Sequence, residues 1–110
     1  MMSAQLPDDP QWKRAHTLLS TTNTSADLAL IGVPAHQGSI SPTKADQTPD
    51  AIRNALARYS TYSTSDNLDL SANPIADLGN VQSPDGVEGI ARVHGAVQGL
   101  LGKHKLLIAL

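Results

Sequence analysis

Apolar residues gather in three short runs, separated by stretches where they recur every three or four positions, and this alternation predicts strand, helix, strand, helix, strand. Leu28-Ala29-Leu30-Ile31-Gly32-Val33 reads as a buried strand, ended by Pro34, whose missing N–H suits a strand terminus. Pro74-Ile75-Ala76-Asp77-Leu78-Gly79 is shorter and less apolar, which predicts an edge strand. Lys105-Leu106-Leu107-Ile108-Ala109-Leu110 has no polar alternation, so it reads as a parallel strand buried on both faces, with the chain stopping at its carboxyl end. Between the first two strands, Thr48-Pro49-Asp50 is a helix start: a hydroxyl cap, a first-turn proline, and an acid near the positive end of the dipole. Ile52, Ala55, Leu56 and Tyr59 then follow at helical spacing. The polar stretch Ser60 to Asn67 ends that helix and predicts an exposed or disordered tip.

Ser83-Pro84-Asp85 repeats the cap, proline and acid signal, with Val87, Ile90, Val93, Val97, Leu100 and Leu101 as the apolar stripe of the helix beyond. Gly86, Gly89, Gly95 and Gly99 each cost about 1 kcal/mol against alanine in a helix interior, which predicts a helix pressed closely onto a sheet or partner, an ordinary marginal surface helix being the alternative. Lys103-His104-Lys105 reverses the chain and places cations near the helix's negative end. Ahead of the first strand, Asp9 and Pro10 can open a helix carrying Trp12, Ala15, Leu18 and Leu19 on one face. Residues 1–27 are thus expected to be a leading helix and linker.

Right-handed crossovers through the two internal helices give a parallel sheet, and the most apolar internal strand, Leu28 to Val33, belongs at its centre. The predicted order is second, first, third. In open α/β sheets ligands sit beyond the carboxyl ends of the strands, where that order reverses. Here that crevice is bounded by the connection Pro34 to Gln47, which at about fourteen residues is long for an α/β unit. Its other wall would follow Leu110, so the chain is expected to break off where its chemistry starts.

Composition narrows the classes. The chain has 110 residues, 40% hydrophobic, with one Trp, two Tyr and no Phe, enough for one small domain or part of a larger one. A net charge of -2 with interspersed signs gives no electrostatic footprint for a nucleic acid or an anionic membrane. Cysteine is absent, which excludes disulfides and thiolate ligands. The first twenty residues carry Asp8, Asp9 and Pro10 and lack an apolar h-region, so no signal peptide is visible, and no apolar run reaches the length of a membrane span; a soluble cytoplasmic protein is expected.

Residues with chemistry to offer are few. His16, His36, His94 and His104 include no pair at the spacing that places two imidazoles on one helical face. His36 stands out because it shares the crevice loop with Gln37, Ser39, Ser41 and Thr43. Those five are candidates for selecting a substrate by hydrogen bonds; a solvated polar loop is the alternative. His94, inside the apolar stripe, reads as a packing residue. Arg53 could clamp a carboxylate or fix the preceding loop through backbone carbonyls. The Gly32 to Gly38 stretch lacks the lysine and glycine spacing of a phosphate cradle.

Four segments in order carry a family resemblance: Leu30-Ile31-Gly32-Val33-Pro34, Thr48-Pro49-Asp50-Ala51-Ile52-Arg53, Asp77-Leu78-Gly79-Asn80-Val81 and Leu106-Leu107-Ile108-Ala109-Leu110. Together they resemble the amino-terminal third of a ureohydrolase, the superfamily of arginase, agmatinase and formimidoylglutamase, over Leu28 to Leu110. Thr48 stands where that family usually has Gly, and Asn80 where it usually has a second acid, as in a divergent branch. The resemblance implies a three-layer αβα fold of which only the first three strands are present, the chain being the amino-terminal part of a single α/β domain. It further implies hydrolysis of a carbon–nitrogen bond in a linear amidine or guanidine by hydroxide bridging two Mn(II) ions, a pairing that lowers the pKa of water. The family's metal ligands come from Gly-Gly-Asp-His and later segments, none of which occurs here, so the chain is expected to bind no metal and to be inactive alone. Asp77, at a strand's carboxyl end, could serve as an acid–base group, but because the resembled family's metal acids lie elsewhere a structural turn role is expected.

The leading expectation is therefore the opening part of a manganese ureohydrolase, with a formimidoylglutamase-like or other guanidino-acid substrate ahead of arginine or agmatine, and a homo-oligomer as is common in the family. The rival is a small flavodoxin-like α/β interaction module without catalysis.

Overall fold

The computed structural model describes residues 12–110. Its sheet is built from β1 (Leu19–Ser20), β2 (Leu28–Gly32), β5 (Ile75–Asn80) and β6 (Leu106–Ala109), with helices α1 (Thr48–Ala55) and α2 (Gly86–Leu100) in the two crossovers. A separate antiparallel hairpin pairs β3 (Tyr62–Ser63) with β4 (Leu68–Asp69). The sheet is parallel throughout, in the order β1-β5-β2-β6, so the expected arrangement of the three main strands holds.

The centre of the sheet is where the sequence places it. In β2, Ala29 is fully buried and Leu30 and Ile31 nearly so, while Ala26, Ala29 and Ala76 form a small core against which Leu78 and Leu107 pack. The ladder runs one residue past the last strand: the Leu110 N–H donates to the Ile31 carbonyl, and the Val33 N–H donates to that of Leu110.

Several elements differ from expectation. Asp9 and Pro10 lie outside the described residues, but from Trp12 onward the leading segment is no α-helix: Ala15–Leu18 is a single 3-10 turn that runs straight into β1. There Leu19 and Ser20 pair with Ile75 and Ala76, so β5 is not the edge at its start. The polar stretch Ser60 to Asn67 is ordered as the hairpin. Its turn uses Asn67 at φ 51, a conformation asparagine tolerates, and Tyr62 Oη donates to Asn67 Oδ1. At its root Thr61 is buried and donates to Asp69 Oδ1 at 3.0 Å.

The predicted hydroxyl cap at Thr48 is not made. A 3-10 turn, Ala45–Gln47, leads directly into α1 and carries the start of helical geometry back by one turn. The hydroxyl that serves there is Thr43, whose Oγ1 accepts from the Ala45 N–H at 3.1 Å. Helix α1 closes through a second 3-10 turn, Leu56–Arg58, leaving Tyr59 outside it.

The flank made by α2 and β6 is looser than the sequence suggested. On α2, Val93, Val97 and Leu100 are half-buried but Val87, Ile90 and Leu101 are exposed; on β6, Leu106 and Ala109 are exposed, against the expectation of burial on both faces. Among the described residues β6 pairs on one side only, which accounts for its exposure. The close approach read from the glycines is confined to Gly89, where a Cβ would lie 2.7 Å from the Ser83 carbonyl oxygen; Gly95 and Gly99 face open space. The close neighbour is the helix's own entry turn, not the sheet. After α2, Gly102 takes φ +89 to reverse the chain, and the connection is tied down by a 2.6 Å contact between His104 Nδ1 and the Ala26 carbonyl.

Candidate functional site

The carboxyl ends of β2 and β5 lie side by side, and the residues that follow them build one mouth. Leu30 pairs with Asp77, the register then shifts, and Gly32 pairs with Asn80. Gly32 is required by what meets it: a Cβ there would collide with the Asn80 side chain and lie 2.8 Å from Pro49 Cβ. That approach brings the amino-terminal end of α1 onto the strand ends.

Arg53, from α1, closes this corner. Its Nε donates to Asp77 Oδ2 and its Nη2 to Asp77 Oδ1, both at 3.0 Å, and Nη2 also donates to the Gly79 carbonyl at 3.0 Å. Nη1 donates to Asn80 Oδ1 at 2.6 Å and to Asp50 Oδ1 at 3.0 Å. A guanidinium has five N–H donors, and these contacts use all of them. The carboxylate clamp is therefore real but internal, and Arg53 has no donor left for a substrate. Asp77 is largely engaged as well, since its Oδ1 also accepts from the Gly79 N–H at 3.0 Å, which brings its contacts to three. Asn80 accepts from Arg53 while its Nδ2 donates to Asp50 Oδ1 at 3.3 Å, a double role that an ionised acid at this position would lose.

On the other side of the mouth stands Asp85, at the start of α2. Although it occupies the N-cap position, its side chain makes no cap hydrogen bond. Its Oδ1 instead accepts from the backbone N–H of His36, at 3.0 Å, and of Gln37, at 2.9 Å. Its Oδ2 lies 3.3 Å from His36 Nδ1, a charge contact when the imidazole is protonated, but without hydrogen-bond alignment, so Nδ1 is buried with no hydrogen-bond partner among the described residues.

Of the five loop candidates, the structure thus brings His36 and Gln37 to an anchor. Ser39 and Ser41 are exposed, and Thr43 is engaged with Ala45. His94 is exposed on the rim of an open apolar hollow of about 450 Å³, lined also by Val33, Ala35, Pro84, Ile90, Val93 and Val97, so it is not the packed residue that was expected. Asp85 is the residue that sequence reasoning missed as a site member: its acid was assigned to its own helix, and the only signal for a partner is the unusual length of the loop it holds. Among the described residues no group of three or more His, Cys, Asp or Glu could hold a metal ion, so these residues do not fit a dinuclear metal centre.

A parallel α/β sheet with its mouth at the β2 and β5 ends, an Arg-locked corner and a long first loop defines the class, and comparison with known proteins supplies the family. Residues 26–110 match the Arginase family, and the chain belongs to it. Over 52 residues it is 42% identical to the formimidoylglutamase of Halalkalibacterium halodurans, a stretch covering 47% of this chain and 16% of that protein. Its fold superposes on the Bacillus subtilis formimidoylglutamase with a TM-score of 0.79 at 25% identity, covering 100% of this chain and 36% of that one. A Trypanosoma cruzi formiminoglutamase whose crystal structure includes Mn2+ gives a TM-score of 0.75 at 25% identity, over 93% of this chain and 35% of that one. The chain spans about a third of the length of these solved relatives, so what it presents is part of an arginase-like α/β fold. No helix of the described residues is long and apolar enough to cross a membrane.

Proposed function

We propose that this chain forms the amino-terminal wall of a manganese-dependent hydrolase of linear amidines, with a formimidoylated amino acid as the preferred substrate and other guanidino acids, arginine and agmatine behind it. The observation that carries this reading is the superposition of the chain on a formimidoylglutamase, joined to 42% identity over 52 residues with a second one. On this reading the metal's ligands come from segments that follow Leu110, as the family resemblance implies, and this segment alone would be inactive. The part played by these residues is to shape the mouth: His36, Gln37, Ser39, Ser41 and Thr43 line the loop that faces an incoming substrate. A cytoplasmic, homo-oligomeric enzyme without nucleic-acid or membrane partners completes the proposal.

Two experiments test it. The reading frame after Leu110 is expected to encode Gly-Gly-Asp followed by His or Asn; a stop codon in an intact gene would favour a non-catalytic module instead. The protein extended past Leu110, assayed with manganese against formimino and guanidino compounds, is expected to hydrolyse a formimino acid fastest. Failure to turn over any of the panel would sink the proposal.

A further inference from the structure

The Pro34 to Gln47 loop leaves the central strand at the mouth, and two consecutive amides of that loop are held by one carboxylate from an element 48 residues further along. An acid at a helix start ordinarily satisfies the free N–H groups of its own first turn. Asp85 does not, and its side chain is only 11% exposed. A carboxylate drawn out of water needs donors for its lone pairs, and here the loop backbone supplies two of them to Oδ1, while Oδ2 faces His36 Nδ1 at 3.3 Å. The turn that delivers it is itself constrained: Ser83 takes φ 47, Gly86 takes φ +76, and Gly89 admits no side chain against Ser83 and Pro84.

We infer that Asp85 is a positioning residue for substrate selection: it fixes the His36-Gln37 segment, and through it the polar loop, relative to α2. This rests on the functional reading above only where turnover is concerned; the anchoring itself does not. Asp85 touches no reacting atom and acts through the loop.

Hydrogen exchange decides the anchoring. In Asp85→Ala the His36 and Gln37 amides are expected to exchange faster by on the order of tenfold, while far-ultraviolet circular dichroism shows α2 retained, because no side-chain cap is lost. Asp85→Asn keeps an acceptor oxygen and is expected to restore most of the protection. Unchanged exchange at the two amides in Asp85→Ala, or equal losses along α2 in both variants, would overturn the inference. In the extended protein, assayed with a formimino acid, Asp85→Ala should raise KM by about tenfold with kcat within about twofold, and Asp85→Asn should return KM toward its original value. An unchanged KM, or kcat falling as far as KM rises, would refute substrate positioning. If the unaltered protein hydrolyses no amidine, the functional reading fails and the exchange data still decide whether Asp85 holds the loop.

Discussion

The two flanks of the central strand are closed by opposite means. Toward β5, Arg53 and its carboxylate and amide partners knit α1 to the strand ends through polar contacts, with the Arg53 and Asp77 side chains only 14% and 12% exposed. Toward β6, an apolar stripe on α2 faces an open hollow, and its Ile90 is 67% exposed. Identical strand-and-helix grammar thus yields one sealed corner and one unsealed one. A side chain's worth follows from which corner it occupies, not from how hydrophobic it is.

The sharpest way to break this contrast is Arg53→Ala. Removing one partner of a buried pair leaves Asp77 charged and unmatched, so unfolding free energy should fall by about 3–5 kcal/mol in urea denaturation. A loss below about 1 kcal/mol would mean the corner is no more closed than the other flank. Gly32→Ala tests the same corner sterically: the new methyl meets the rigid Pro49 ring, and a loss of roughly 1–3 kcal/mol is expected by thermal unfolding. On the open flank Ile90→Gln should change stability by less than about 0.5 kcal/mol, because the side chain buries little. A large loss there would show the hollow to be closed in solution.

The hairpin offers the smallest effect, read by pH. The Ser71 backbone N–H, and after it the Thr61 hydroxyl, donate to Asp69 and hold its carboxyl below the ordinary value of 3.8. A depressed carboxyl contributes stability that is present above its unfolded value and is lost as pH falls through its folded one. The Ser71 and Thr61 signals in an NMR titration should therefore hold steady above the ordinary carboxylate range and move only below it. Asp69→Asn should remove that acid dependence.

What could be read in advance follows the range of the interactions. The order of the three main strands was legible because β2 is a continuous apolar run and crossovers are right-handed. The start of α1 was legible from Pro49, whereas that of α2 was read two residues early: Ser83 is not the cap, and the helix begins at Gly86 with Asp85 in the N-cap position. The arginase resemblance was legible in four local segments, and the Arginase family match over residues 26–110 agrees with it. Illegible were contacts between residues far apart in sequence: Asp85 with His36 and Gln37, Arg53 with Asp77 and Asn80, His104 with Ala26. Local signals also misassigned the acceptor at the helix start, since the hydroxyls of Thr43 and Thr48 lie five residues apart and only the contact with Ala45 separates them. The burial of β6 was overread because an apolar strand says what it prefers to meet, not whether a neighbour is there.

For anyone attaching a fluorophore or an affinity handle, the bonding of Leu110 to Ile31 and Val33 sets a practical rule. Leu110 is stitched to the central strand β2, so a rigid fusion placed directly behind it would tug on the β2–β6 ladder. The solvent-facing bend at residues 64–67 is the gentler attachment point, because neither the ladder nor the mouth runs through it.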